Sequence, residues 1–572
     1  MTVRQLIPQG LAEMAPGPEL GVLLAGIDIQ LLTGADAVEV LRARARQLSH
    51  EQARLLATMV EIGLCDPDAD PGDIVRLPES PPYAADEIRA ALAWTRRAAQ
   101  REHDFAETLV LRMPPVFTAL ETGRICRNKA WVFADLCADL TAEQIDVVCA
   151  RLLPRAGRLT TGELAARLKK LAIALDPEWA ARRYATAVRE RNVIGYLNED
   201  GTATVTGSAL PVEQAAVACA HVEELARAAK RAGHPGRIGP LRADIYLGLL
   251  DGRWQHFTRD EIIADLLTHT TGEDLEETPA ASAPAADTSA TRPARRAGVE
   301  LRVALSTLLG RDRYPGEVPG WGPVTAEIAR TIVIAQRGAE WRFAITDSAG
   351  QLLLTGVTRR RSQRPTATGE LPPCRGGIVE LQLPATLLTE LAADPQACGE
   401  WATVVADIAA QYTRGDRPAP SVQDPTARFA GAALRRHVQI RDRSCVYLGC
   451  RASARSADLD HTRDHAQGGP TTHTNSGPLC RHDHQLKTVG RWRLRQPQPG
   501  HFTWESPLGR QYRTQPPAIL DELPEPRPRS DTTDHPPWDN PDDDSPILQR
   551  PSPEPDPPPP PVPPDSDQPP PF

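Results

Sequence analysis

The sequence predicts a mainly α N-terminal region with small β-hairpins, a small C-terminal module rich in Cys and His, and a disordered Pro-rich tail. Three observations predict it. Helical spacing of apolar residues dominates from about 20 to 270. Charge is segregated along the chain: the whole 572 residues carry a net charge of -9, but the stretch from Arg435 to Arg513 holds 14 basic against 6 acidic side chains. From 516 to 572 there are 13 acidic residues, 3 arginines and 22 of the 56 prolines. The third observation is clustering. Seven of the 14 histidines and three of the ten cysteines fall in the basic stretch. The acidic average would exclude a polyanion binder, and the segregation reverses that inference for one part of the chain.

The first part is assigned to 1–269. Ala, Arg, Glu and Leu at helical spacing predict a helix over 86–113. Thr160-Thr161-Gly162-Glu163 has the form of a capping box, and Asp176-Pro177-Glu178 that of an N-cap with proline at the first helical position. Two short apolar runs around Asn198-Glu199-Asp200-Gly201 predict a hairpin over 193–206. Helical signal returns over 211–233 and 242–251. A Thr/Ala/Pro/Glu stretch at 270–298 lacks hydrophobic period and is expected to be a flexible linker. A mixed α/β segment follows at 299–427, with a helix over 324–336, a hairpin over 341–358 and a helix over 387–412. The basic module occupies 428–515. The tail, 516–572, cannot bury a core and is expected to be disordered and partly polyproline II, with docking to a proline-motif partner as its sharper use.

Bulk composition narrows the class. With 41% apolar and 24% charged residues, cores can form. No apolar run approaches the ~20 residues that span a bilayer, so no membrane partner is expected. The N-terminus has no charged segment followed by an apolar stretch, which predicts a cytoplasmic protein. Seven scattered cysteines read as buried, reduced thiols.

The other three cysteines carry chemistry. Cys445 and Cys450 are five positions apart, and Cys480 follows with His482, Asp483 and His484 close behind. Three thiols with one further His or Asp suit a tetrahedral structural zinc, and a small polar module needs such a staple. The fourth ligand is Asp483 or His482. A second set lies between the cysteines. Asp460-His461 ends a short strand-like run over 457–461, a Gly468-Gly469 loop and Asn475 follow, and Gly477-Pro478 opens a helix through Lys487. Helical spacing puts Cys480, Asp483, His484 and Lys487 on one face. Asp460, His461 and His484 supply what metal-assisted phosphodiester hydrolysis needs: a carboxylate and an imidazole for a hard cation, and a separate imidazole for a proton. Alternation along a strand sets Asp460 and His461 on opposite faces, which keeps Asp458 as a further candidate ligand.

This order of residues resembles the HNH endonuclease family over about 440–490. The resemblance implies a ββα-metal (His-Me finger) fold. It implies that His461 is the general base, that Asn475 holds the loop and orients that base, and that Asp460 and His484 bind a catalytic divalent cation (Mg, Mn or Ni). It also implies that Cys445, Cys450 and Cys480 bind structural zinc. LETGRICRNKA, the stretch from 140 to 177 and RADIYLGLLDG resemble the helical domain of unknown function, the type numbered 222, that precedes HNH modules in many actinobacterial proteins; GWGPVTAEIAR and ALRRHVQIRDRSC continue the likeness.

The expected function is therefore metal-dependent cleavage of DNA. Arg443, Arg481, Lys487, Arg491, Arg493 and Arg495 are candidate phosphate contacts, against the alternative of a solvated face. Trp492, Leu494 and Phe502 are expected to face inward from a hairpin over 492–505. A double-strand break would take a homo-oligomer or two visits. The competing readings are a non-cleaving zinc-stapled nucleic-acid binder and a scaffold protein with a vestigial nuclease.

Overall fold

A computed structural model describes residues 4–70, 72–268, 298–362, 376–414, 426–520 and 523. The expected linker, apart from Gly298, and most of the expected tail lie outside these residues. Two helices lead, α1 (Pro18–Ala25) and α2 (Gly34–Leu64). The 31-residue α2 starts where the Thr33 hydroxyl accepts the Asp36 amide, and it buries a stripe through Val40, Ala43, Ala53, Leu56 and Val60. Next come α3 (Ala84–Leu92), α4 (Arg96–Glu107), α5 (Pro114–Glu121), α6 (Arg127–Cys137), α7 (Ala142–Ala156), α8 (Thr161–Leu175) and α9 (Trp179–Arg189). Their inward faces close one core around Phe105, Leu120, Phe133, Val148 and Leu168.

Local signals set these boundaries. The capping box at Thr160 and Glu163 forms, and Thr141 with Gln144 makes a second. Asp176 is not the N-cap: its carboxylate accepts the Glu178 amide in a turn, and α9 starts at Trp179. The single helix predicted over 86–113 is broken. Ala93 is left-handed (φ 53°), and the Thr95 hydroxyl caps a new helix by accepting the Ala98 amide. Continuous Ala/Arg composition hid that cap. The predicted hairpin is present as β1 (Asn192–Leu197) and β2 (Ala203–Ser208), paired antiparallel. Three more helices, α10 (Val212–Arg231), α11 (Ile238–Leu250) and α12 (Arg259–Thr268), pack around Trp254.

The mixed segment holds more strand than expected. β3 (Glu300–Ala304), α13 (Leu305–Leu308), β4 (Gly316–Val318), β5 (Gly322–Val324), α14 (Ala326–Ala335), β6 (Glu340–Thr346), β7 (Leu352–Thr358) and β8 (Ile378–Pro384) follow in order. Their strands form one six-stranded sheet, β5-β4-β3-β8-β6-β7, with β8 parallel to both neighbours. Strand β8 is buried along nearly its whole length although Val379-Glu380-Leu381-Gln382-Leu383 alternates apolar and polar, so its polar face is covered as well as its apolar one. The helix predicted over 387–412 is two, α15 (Ala385–Ala393) and α16 (Ala402–Thr413). Asp394 precedes Pro395 and leaves the helical region (φ -128°, ψ 83°), as the residue before a proline tends to.

One buried ion cluster joins this sheet to the C-terminal module. Glu380 on β8 sits in register beside Arg302 on β3, and Arg443 donates to its carboxylate. Burial alone would raise the Glu380 carboxyl; Arg443 and Arg302 together outweigh it and hold the group below the usual carboxylate range. Glu380→Gln leaves the Arg443 guanidinium without its carboxylate partner, while Arg302 keeps Glu300 and Glu317. Urea unfolding of this variant is expected to show a loss of about 3–5 kcal/mol.

The C-terminal module begins with α17 (Ala432–Asp442), then β9 (Asp458–His461), β10 (Ser476–Leu479) and α18 (Arg481–Thr488). The order ββα is thus present, with β9 and β10 antiparallel. Gly477-Pro478 does not open the helix: both residues lie in β10, opposite Asp460 and Leu459, and α18 starts after Cys480. Proline fits because its carbonyl, which accepts the Val446 amide, is what the strand uses there. Gly477 fits because a Cβ there would stand 2.7 Å from the Phe502 ring. The expected hairpin is a three-stranded sheet of β11 (Arg493–Gln498), β12 (His501–Glu505) and β13 (Gln511–Thr514). Trp492 and Phe502 are buried and Leu494 half-buried, around Tyr447, Trp504 and Leu486. Packed chain runs past the expected tail boundary at 516, because Ile519 is buried against Ala344 and Ile440. The described residues up to Leu520 belong to one compact unit, Met1–Glu522. No helix among the described residues is long and apolar enough to cross a membrane.

Candidate metal and nucleic-acid site

The cysteines meet where three local elements converge. Cys445 follows α17, Cys450 ends the turn that follows it, and Cys480 caps α18. One ligand atom from each of Cys445, Cys450, Cys480 and Asp483 lies within 4.8 Å of the others. Asp483 Oδ2 stands 3.1 Å from Cys445 Sγ and 3.2 Å from Cys480 Sγ, and Cys450 Sγ is 3.9 Å from Cys480 Sγ. A tetrahedron with bonds of about 2.0–2.3 Å has edges of about 3.3–3.8 Å, so the spacing suits one cation. Hydrogen bonds among the thiols push Cys445 up and Cys480 down, and burial pushes the Asp483 carboxyl up, so without an ion the cluster holds on to some of its protons. A cation among the four would let all of them ionise.

Of the two candidates for the fourth position, the structure brings in Asp483. His482 turns away: its Nε2 lies 3.0 Å from the Asp86 carboxylate of α3. Asp483 is itself gripped from the helical region. Arg89 Nη1 donates to Asp483 Oδ1 (2.7 Å) and Nη2 to Oδ2 (3.4 Å).

A second cluster lies along β9. Asp458 and Asp460, two residues apart, share the face toward α18. There His484 Nδ1 meets Asp458 Oδ2 at 3.1 Å, and His484 Nε2 is 3.6 Å from Asp460 Oδ1. Lys487 donates to Asp460 Oδ2 (2.8 Å), to Asp464 Oδ1 (2.9 Å) and to the His461 carbonyl. His461 is the last residue of β9, and its ring faces the following loop instead. Its Nε2 is 2.8 Å from the Thr471 hydroxyl, which donates its one proton to the Ala427 carbonyl. Nε2 must therefore carry the hydrogen of that bond, and the free lone pair is on Nδ1. Burial lowers the His461 imidazole below its ordinary value, which favours this neutral form.

Asn475 holds the loop and does not touch the imidazole. Its Oδ1 accepts the Arg463 amide (2.8 Å), and its Nδ2 donates to the carbonyls of Arg463 (3.1 Å) and Pro470 (2.9 Å). Thr471, which sequence reasoning missed, is the residue that orients His461. A threonine in a polar loop carries no periodic or spacing signal.

The candidate phosphate contacts divide. Arg481, Arg493 and Arg495 are exposed, with Arg493 paired to Glu505. Arg491 is exposed and paired to Asp68. Arg443 is buried on Glu380, and Lys487 is spent on Asp460 and Asp464. A groove of about 600 Å³ in the helical region, which no sequence signal singled out, runs beside the module. Exposed Arg96, Arg97 and Arg101 of α4 line it together with Trp131, and His482 of α18 reaches its wall. Arg96 and Arg97 have no ion-pair partner among the described residues; Arg101 stacks 5.6 Å over the Trp131 ring.

Residues 35–237 match the family model described as Domain of unknown function (DUF222), so the chain carries a DUF222 domain. It is 30% identical over 167 residues to the uncharacterized protein Rv2100 of Mycobacterium tuberculosis, covering 27% of this chain and 30% of that protein. It is 32% identical over 159 residues to the uncharacterized protein Rv3776 of the same organism, covering 27% of each. The chain thus spans less than a third of the length of these curated relatives. No solved structure matches it.

Proposed function

We propose that the protein is a metal-dependent DNA endonuclease that hydrolyses phosphodiester bonds at an HNH site of ββα-metal fold. The observation that carries this reading is the pairing of a neutral imidazole, His461 with Nδ1 free, with a carboxylate–imidazole pair, Asp460 and His484, 3.6 Å apart. A protein that only binds DNA needs neither.

The residues divide the work. His461 Nδ1 takes the proton of the attacking water while its oxygen bonds to phosphorus. One P–O ester bond breaks, and its oxygen leaves with the electron pair and takes a proton from solvent. Thr471 fixes the tautomer of His461, and Asn475 fixes the loop that carries Thr471. Asp460 and His484 would hold a divalent cation, Mg, Mn or Ni, with Asp458 setting the His484 ring; two protein ligands suffice for a cation that keeps several waters. When bound, that cation supplies charge stabilisation for the phosphate and leaving oxygen. Cys445, Cys450, Cys480 and Asp483 would hold a structural zinc that fixes the start of α18.

The test is nicking of supercoiled plasmid after chelation, with zinc restored and Mg, Mn or Ni added singly. Nicking that returns with the added cation is expected; none under any of the three sinks the reading. A second reading, a zinc-stapled nucleic-acid binder that does not cut, is favoured by one observation: Lys487 already neutralises Asp460.

Both readings need DNA contacts, and the arginine groove of the DUF222 domain is suited to phosphates. Replacing Arg96, Arg97 and Arg101 together by alanine is expected to weaken DNA binding at low salt and to flatten log K against log salt by up to about 0.9 per lost phosphate contact. An unchanged slope would remove the groove from the interface.

A further inference from the structure

Helix α3 buries its charged residues, Asp86, Glu87 and Arg89, at 3%, 8% and 1% exposure. They face the C-terminal module, where Ala90 joins the core of Tyr447, Trp492 and Trp504. Arg89 spans the two oxygens of Asp483, donates to Asp86 Oδ1 (3.1 Å) and lies 4.1 Å over the Tyr447 ring. The Tyr447 hydroxyl in turn donates to the Asp86 carbonyl (3.1 Å). Glu87 accepts the Leu508 amide from the turn before β13 (3.3 Å).

We infer that Arg89 of the DUF222 domain is a positioning residue of the metal centre: it fixes Asp483 as the fourth ligand, so that zinc binding and docking of α3 are one linked equilibrium. This rests on the reading of the cysteine cluster as a zinc site. Three thiolates and a carboxylate around a divalent cation leave a net charge of two negatives in a buried place. Such charge is costly unless a partner is buried with it. The Arg89 guanidinium, shared with Asp86, offsets part of it. Its fork also sets the carboxylate plane, with Oδ2 left facing Cys445 and Cys480. Asp86 does two things. It braces Arg89, and it holds His482, the competing ligand, off the metal. Partners of this outer kind commonly change metal affinity 10- to 100-fold. Because α18 starts at Cys480 and carries His484, the same contact ties the position of the cation ligand to the helical domain. Whatever binds the native cluster also binds the docked state of α3, so removing it must loosen α3.

The experiment uses the full chain. Zinc affinity is measured by competition with a chromophoric chelator for wild type, Arg89→Met, Asp483→Cys and the double variant. Arg89→Met is expected to weaken zinc binding about 10–100-fold. In the Asp483→Cys chain the same change is expected to lose most of that effect, because the carboxylate through which Arg89 acts is gone; a general loss of stability would persist. Hydrogen exchange of wild type with and without chelator is the second arm, and it decides if Arg89→Met does not fold. Amides of 84–92 are expected to exchange at least tenfold faster without zinc. Equal zinc affinity of Arg89→Met and wild type, or unchanged exchange at 84–92, overturns the inference. A wild-type chain that holds no zinc overturns the zinc reading beneath it.

Discussion

His461→Ala is expected to lower the rate of plasmid nicking by about 10²–10⁴-fold, the span of a general acid–base contribution. The side chain is half-buried at the rim of β9, touches Thr471 through one nitrogen and lies beside the His465 ring, so removing it deletes one hydrogen bond and one ring contact. The protein should therefore keep its fold, its zinc content and its salt-dependent DNA affinity. Both residues proposed to hold the divalent cation, Asp460 and His484, keep their contact with each other, which does not involve the His461 ring. The loss should fall on the chemical step at saturating cation and DNA. Nicking by the variant at the wild-type rate would remove His461 from the reaction.

Removing zinc is expected to unfold the C-terminal module and loosen α3, while the rest of the helical region stays folded. Structural zinc contributes about 10–16 kcal/mol of apparent binding free energy, as much as the whole stability of an ordinary domain. Here the cluster ties together the segment before β9, the start of α18 and, through Asp483, helix α3. The aromatic group of Tyr447, Trp492 and Trp504 packs directly on this frame. Chelation should collapse the near-ultraviolet circular dichroism of those rings and abolish nicking even with Mg present, with far-ultraviolet helix signal largely retained. An unaltered near-ultraviolet spectrum after zinc is stripped would contradict the role given to the cluster.

Much of this arrangement is local and therefore legible in the sequence. The capping box at Thr160, the hairpin at 192–208 and the strand ending at His461 depend on neighbours within a few residues. Cysteine spacing brought forward Cys445, Cys450 and Cys480, and the fold does gather them. What could not be read depends on distant partners. Asp483 rather than His482 faces the thiols because Asp86 and Arg89, almost 400 positions earlier, hold the two side chains apart. Arg443 and Lys487 look like phosphate ligands by charge alone. One is bound to Glu380, buried on the polar side of β8, and the other to Asp460 and Asp464. Charge predicts what a side chain is able to bind; only the fold decides which partner arrives first.

Cleavage by His461 and its neighbours is read most simply from nicking at matched metal loading. Wild type and His461→Ala, matched for zinc content, are incubated with supercoiled plasmid and Mg, Mn or Ni. Nicked circles that accumulate with wild type alone, and only when the cation is present, are the predicted result. Equal nicking by the two proteins, or none by either, would remove His461 and its site from DNA cleavage.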